Sequence, residues 1–132
     1  MSNLGTMPNS TKTNIRRVEK PWGYELIWAE TKDYVGKIIH VNKGHQLSLQ
    51  YHNIKEETMF VASGKMTLVF EADDGAMIHV PVSQGEAHHI PTGRKHRVIA
   101  TEDVDIFEVS TPHLNDVVRI EDGYGRKGTS AP

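Results

Sequence analysis

The chain has 132 residues, 37% of them hydrophobic and 24% charged, with a formal charge of −2 at neutral pH. That length suits one domain with a real core, and the even charge balance argues against nucleic-acid binding, whose usual footprint is a basic stripe. No apolar run approaches the roughly 20 residues a membrane helix needs, the N-terminus lacks the apolar core of a signal peptide, and the absence of cysteine excludes disulfides and thiolate ligands. A soluble, cytoplasmic protein is expected. Its eight histidines invite a search for a metal site.

Residues 1–14 are rich in Ser, Thr, Asn and Gly without an apolar period, and a flexible arm is expected there. From Ile15 the pattern changes. Pro21-Trp22-Gly23 punctuates the chain before an aromatic and branched run to Ala29, which reads as a turn leading into a strand. Tyr34 to Val41 is a second strand, and Asn42-Lys43-Gly44 a turn. From Gln46 to Tyr51, apolar Leu47, Leu49 and Tyr51 alternate with polar Gln46, Ser48 and Gln50, which gives a strand one apolar and one polar face. Glu57 to Ala62 and Lys65 to Glu71 form a hairpin about Ser63-Gly64. Further strands are predicted over Met77 to Val82, His88 to Pro91, His96 to Ala100 and Val104 to Ser110. Asp116 to Arg126 is a last strand or turn, and residues 127–132 a polar tail. Short strands at near-regular spacing, with Gly, Pro and Asp turns and no helical period, predict an all-β sandwich or barrel over residues 15–126.

Every second side chain of a small barrel points inward, so neighbouring strands can bring donors together. Gln50 and His52 are two apart, Glu57 opens the next strand, and His96 follows the turn Pro91-Thr92-Gly93. Amide oxygen, imidazole nitrogen and carboxylate all bind divalent cations. Glu56 competes with Glu57, which is preferred because it shares a face with Met59 and Val61. Each histidine taken singly reads as a solvated surface residue; two glycine-flanked stretches occurring together argue for a site.

The spacings carry a resemblance. Gly44 is followed after five residues by Gln50-Tyr51-His52, after four by Glu57 and after six by Gly64; Gly85 is followed after five by Pro91-Thr92-Gly93, after two by His96 and after three by Ala100. Both stretches resemble the two motifs of the cupin superfamily, with Gln50 at the place of the first His and Ala100 at that of the Asn. The resemblance implies a double-stranded β-helix, or jelly-roll barrel, holding one divalent metal through Gln50, His52, Glu57 and His96. Zinc, manganese, iron, cobalt and nickel all suit that set, and positions would stay open for water or substrate.

The Gln, His, Glu, His set is similar to that of the cupin domain of type II mannose-6-phosphate isomerases, usually the C-terminal part of a bifunctional enzyme with a sugar nucleotidyltransferase; that second part is not in this sequence. Lys20-Pro21-Trp22-Gly23, the run from Leu47 to His52 and the run from Val118 to Arg126 share in the likeness. Asn53-Ile54 and Thr58-Met59 depart from the His- and Trp-rich run of that family, which bears on the substrate more than on the metal.

Inward parity nominates Ser48, Met59, Val98 and Glu108 as pocket lining. Glu108 could serve as a general base or as a partner of His96. His88, on the face of Ile90, is expected toward the mouth and His89 outward. Lys37 lies where the isomerase-like cupins tend to have Lys; a solvated strand residue is the other reading. Arg94 and Lys95, with Arg97, form a cationic rim, and Arg126 ends the Gly-Tyr-Gly turn; Arg94, Lys95 and Arg126 are candidate phosphate holders. Trp22, Trp28 and Phe60 are expected in packing or a dimer interface. Outward Leu47, Leu49 and Tyr51 need covering, so a homodimer is expected. The resemblance implies a metal-dependent aldose–ketose isomerase of sugars or sugar phosphates, with Glu108, His88 or Lys37 moving the proton. A non-catalytic carbohydrate-binding or sensing cupin and a metal-dependent dioxygenase are the alternatives.

Overall fold

In the central strands alternate side chains are buried, as the pleat requires of a strand with one face on a core. The computed structural model describes residues 11–125 and 128–129. The strands are β1 (Arg16–Lys20), β2 (Gly23–Glu30), β3 (Val35–Val41), β4 (Leu49–Tyr51), β5 (Glu57–Ser63), β6 (Lys65–Glu71), β7 (Met77–Ser83), β8 (Ala87–Ile90), β9 (His96–Ala100), β10 (Val104–Ser110), β11 (Val118–Glu121) and β12 (Gly128–Thr129). They form two six-stranded sheets, ordered β1-β2-β3-β10-β5-β8 and β12-β11-β4-β9-β6-β7. Among the described residues there is no helix, and so none long and apolar enough to cross a membrane.

The all-β expectation holds, and most strands lie within a residue or two of where the pattern placed them. Gly128–Thr129, in the expected tail, pairs with β11. Residues 1–10 of the expected arm lie outside the described residues, while Thr11 to Asn14 are exposed.

The inner faces of both sheets share one core, drawn from Ile39, Val61 and Ile106 on one side and Met66, Leu68 and Val98 on the other. Their interior residues are graded along the strands. Lys37, Ile39 and Val41 of β3 stand opposite Glu108, Ile106 and Val104 of β10. Glu57, Met59 and Val61 of β5, and His96, Val98 and Ala100 of β9, are likewise buried in sequence. Each strand thus brings one polar or charged side chain to the same end of an otherwise aliphatic interior. The aliphatic end supplies the hydrophobic stabilisation, at about 25 cal/mol per Å² removed from water. The polar end positions the site.

The motif glycines have steric causes. Gly64 has φ +85°, and a Cβ there would lie 2.0 Å from the Asp103 carbonyl oxygen. Gly93 has φ +81°, a conformation glycine adopts without penalty, and its N–H donates to the His52 carbonyl at 2.8 Å, which binds the second motif to the first.

The expectation that Leu47 faces outward is corrected: it packs half-buried against the core. Strict alternation fails there because only Leu49–Tyr51 is regular strand, and Gln46 makes an isolated bridge to Ile99. Trp22 is in the core, whereas Trp28 and Phe60 are exposed. On the outer face of the first sheet Leu26, Ile38, Phe107 and Phe60 stand opposite one another in a row across β2, β3, β10 and β5.

Candidate metal centre

The polar ends of the strands meet in one cavity, whose lining includes Gln50, His52, Glu57 and His96. The first three come from β4, the residue just after it and the start of β5; His96 opens β9. Gln50 and His96 are direct cross-strand partners. His52 Nε2 lies 3.0 Å from Glu57 Oε1 and His96 Nε2 3.7 Å from Glu57 Oε2. One ligand atom from each of His52, Glu57 and His96 falls within 4.8 Å of the others, and all three residues are buried.

The two imidazoles are oriented alike. His52 Nδ1 donates to the Asp116 carbonyl at 2.5 Å and His96 Nδ1 to the Arg94 carbonyl at 2.8 Å. With hydrogen on Nδ1, each Nε2 keeps its lone pair and points inward, the tautomer a metal takes. Burial pushes the His96 imidazole below its ordinary pKa against the pull of Glu57, which favours the neutral ligand form. His52 Nε2 and His96 Nε2 are buried without a hydrogen-bond partner, while Glu57 Oε1 has the Lys55 ammonium at 3.2 Å. Leaving such nitrogens unsatisfied costs about 1–3 kcal/mol each, and a cation held between them and the Glu57 carboxylate would satisfy both. Residues, tautomers and spacing therefore fit a divalent cation. Gln50 lines the cavity beside them, its Oε1 accepting from Ser48 Oγ at 2.8 Å.

A row of buried charges of alternating sign adjoins this group. Lys37 Nζ lies 3.0 Å from Glu25 Oε1 and 3.7 Å from Glu108 Oε2; Lys55 Nζ lies 3.4 Å from Glu108 Oε2 and 3.2 Å from Glu57 Oε1. Burial would raise the Glu57 carboxyl, but Lys55 and the two imidazoles hold it well below the usual range. Burial, reinforced by the Glu57 charge, pushes Glu108 up to about 7 despite both lysines. Burial would lower Lys55, yet the Glu108 and Glu57 charges raise it and keep it an ammonium.

The parity-nominated residues Ser48, Met59, Val98 and Glu108 all line the cavity, as does Lys37, which is buried rather than solvated. His88 stands opposite Met59 in the β8–β5 register but is not part of the lining. Arg94 and Lys95 are also outside it. The Arg94 guanidinium donates to the Glu71 carbonyl at 2.9 Å and to Asp73 Oδ1 at 3.0 Å, while Lys95 is exposed. Arg126 lies outside the described residues. Arg97 does line the cavity, tied to the Leu47 carbonyl and to Glu121.

Sequence reasoning missed Glu25, Lys55 and Arg119, all buried lining residues, and the half-buried Lys20. Glu25 shares the inward parity of Ile27 and could have been found. Arg119 stands opposite Gln50 in a strand too short to show a period. Lys55 is in a loop, where periodicity gives no signal.

Two facing antiparallel sheets with a His-Glu-His cluster at one end of the shared interior define a cupin. The same fold is found in KdgF from Halomonas sp. (TM-score 0.65, 20% identity, 76% of this chain and 88% of that chain) and in the oxalate decarboxylase of Bacillus subtilis, a protein with Mn(II) centres (TM-score 0.69, 20% identity, 79% and 29%). The chain belongs to the mannose-6-phosphate isomerase C-terminal family, whose model matches residues 8–122. It is 31% identical to the xanthan biosynthesis protein XanB of Xanthomonas campestris pv. campestris (strain B100) over 132 residues, covering 96% of this chain but only 27% of that protein.

Proposed function

We propose that the cavity is the active site of a metal-dependent aldose–ketose isomerase acting on a sugar phosphate. One arrangement carries the reading: a buried carboxyl, Glu108, set between two lysines beside the cation-binding group. Membership of a family described by mannose-6-phosphate isomerase supports it. When bound at His52, Glu57 and His96, with Gln50 as a fourth donor, a divalent cation supplies Lewis acidity toward a carbonyl or hydroxyl oxygen. Manganese is a candidate, as in the oxalate decarboxylase neighbour.

Aldose–ketose exchange moves a proton between two adjacent carbons, and Glu108 is the residue assigned to take and return it. Lys37, held by Glu25 at 3.0 Å, is assigned to donate to the substrate oxygen on which negative charge develops. The cavity volume is about 40 Å³, room for a few waters. A hexose phosphate would therefore insert only its reactive end. Its other end would rest at the mouth, where the half-exposed lining residues Lys20, Leu47, Gln50 and Arg97 lie. The lining holds five cations (Lys20, Lys37, Lys55, Arg97, Arg119) against three anions (Glu25, Glu57, Glu108), a balance that favours an anionic ligand. Lys20 and Arg119 replace Arg94 and Lys95 as the proposed phosphate holders.

The protein is proposed to act in the cytoplasm, consistent with the lack of cysteine, as a homodimer joined through the outer row that includes the exposed Phe60 and Phe107. The test of the reaction is exchange of the C2 proton of mannose 6-phosphate with D2O, followed by NMR on metal-loaded protein. Exchange abolished by Glu108→Gln is expected. Binding of the sugar without exchange in the wild type would leave a non-catalytic carbohydrate-binding cupin.

A further inference from the structure

Asp116 lies in the loop between β10 and β11, outside both motif stretches. Its carboxylate accepts three consecutive main-chain N–H groups, from Asn53 at 3.0 Å, Ile54 at 2.7 Å and Lys55 at 2.8 Å. Its own main-chain carbonyl accepts the His52 Nδ1–H. Successive amides turned toward one anion make a nest. The same segment is gripped from the other side, where Thr92 Oγ1 donates to the Ile54 carbonyl at 2.9 Å and the Lys55 carbonyl at 3.2 Å, and Gly93 N–H donates to the His52 carbonyl. Residues 52–55 make no regular strand, so these contacts, rather than a sheet ladder, fix their conformation.

We infer that Asp116 is a positioning residue of the metal centre. Its carboxylate ties its own main chain to residues 53–55 and so holds in place the carbonyl that sets the tautomer and direction of the His52 ring, and the same contacts fix the loop that carries the Lys55 ammonium to Glu57 and Glu108. The inference rests on the reading of His52, Glu57 and His96 as a cation site, but it makes a separate claim about His52 in the metal-free protein. A ring with free rotation would divide its hydrogen between both nitrogens and face the cavity only part of the time. A ring held by the Asp116 carbonyl presents Nε2 before any ion arrives, which lowers the ordering cost of binding.

The experiment has two arms. In metal-free wild type, long-range ¹H–¹⁵N NMR of the His52 ring is expected to show the hydrogen on Nδ1; finding it on Nε2 overturns the inference whatever the variants do. In the second arm, Mn²⁺ and Co²⁺ are titrated calorimetrically into wild type, Asp116→Ala and Asp116→Asn, with Asp103→Ala as control, since Asp103 anchors a distant loop through the Lys43 N–H. Folding is checked by circular dichroism. Roughly 10–100-fold weaker binding is expected for the folded Asp116 variants, with a mixed His52 tautomer, and unchanged binding for Asp103→Ala. Wild-type affinity in a folded Asp116→Ala or Asp116→Asn protein overturns the positioning role. Wild type that binds neither ion refutes the cation site instead, and the tautomer measurement then decides the positioning claim alone.

Discussion

Glu108 and Lys37 stand directly opposite each other in the β10–β3 register, at the point where the interior changes from aliphatic to charged. Lys37 Nζ is 3.7 Å from Glu108 Oε2 and 3.0 Å from Glu25 Oε1, and all three side chains are buried. Buried ions are tolerated only when each has partners of opposite sign. Alternation of sign from Glu25 through Lys37, Glu108 and Lys55 to Glu57 provides them. Removing one member should therefore cost more than removing a neighbouring pair.

Lys37→Met is predicted to destabilise the metal-free protein by about 3–5 kcal/mol, because it strands buried carboxylates. Adding Glu25→Gln should return part of that loss, a coupling measurable by urea denaturation of the two single variants and the double variant. Strict additivity would show that the two groups do not share a network.

Glu108 gives a pH signature. Its carboxyl is raised from 4.5 to about 7, chiefly by burial, so the folded state binds this proton more tightly than the unfolded chain. Its contribution is then fully present below about pH 4.5 and is lost as pH rises toward 7. Across that window metal-free wild type should lose stability relative to Glu108→Gln in the same thermal melts; the His96 imidazole, lowered by burial, acts with the opposite sign but does so in both proteins. Equal slopes in the two proteins would contradict the shift.

Gln50 faces His96 across β4 and β9, with its amide oxygen already accepting from Ser48. As the weakest donor of the set it should be the least costly to remove. Gln50→Ala is predicted to keep a bound metal at reduced affinity, whereas His52→Ala and His96→Ala lose it. Equal loss in all three, by calorimetry, would make Gln50 an equal ligand.

The proposed phosphate end makes a contrast between cations. Arg119→Met should raise KM for mannose 6-phosphate at least tenfold while leaving the metal content unchanged. Arg94→Ala and Lys95→Ala should leave KM within about twofold, since neither side chain lines the cavity. A larger KM effect from Lys95 than from Arg119 would restore the rim as the phosphate site.

Much of this was legible in the chain itself, for reasons that differ by residue. Ser48, Met59, Val98 and Glu108 follow from the period of two, because a pleated strand fixes which face a side chain takes. His52, Glu57 and His96 follow from glycine-flanked spacings, and Gly64 shows why such glycines occur: a Cβ there would meet the Asp103 carbonyl. Leu47 went astray where the strand is interrupted and alternation ceases. Lys55 and Asp116 were invisible because they sit in loops whose contacts join residues about sixty positions apart, Lys55 N to Asp116 Oδ2 among them. The place of Arg94 outside the cavity lining is not legible either, because a cation near a motif looks the same in sequence whether its guanidinium enters the cavity or braces the β6–β7 turn.

The central claim is that His52, Glu57 and His96 hold a divalent cation. Elemental analysis of the protein as purified, alongside His52→Ala handled identically and shown to be folded, tests it most directly. About one equivalent of a transition metal in wild type and little or none in His52→Ala is the predicted result. Full metal content in His52→Ala would contradict it.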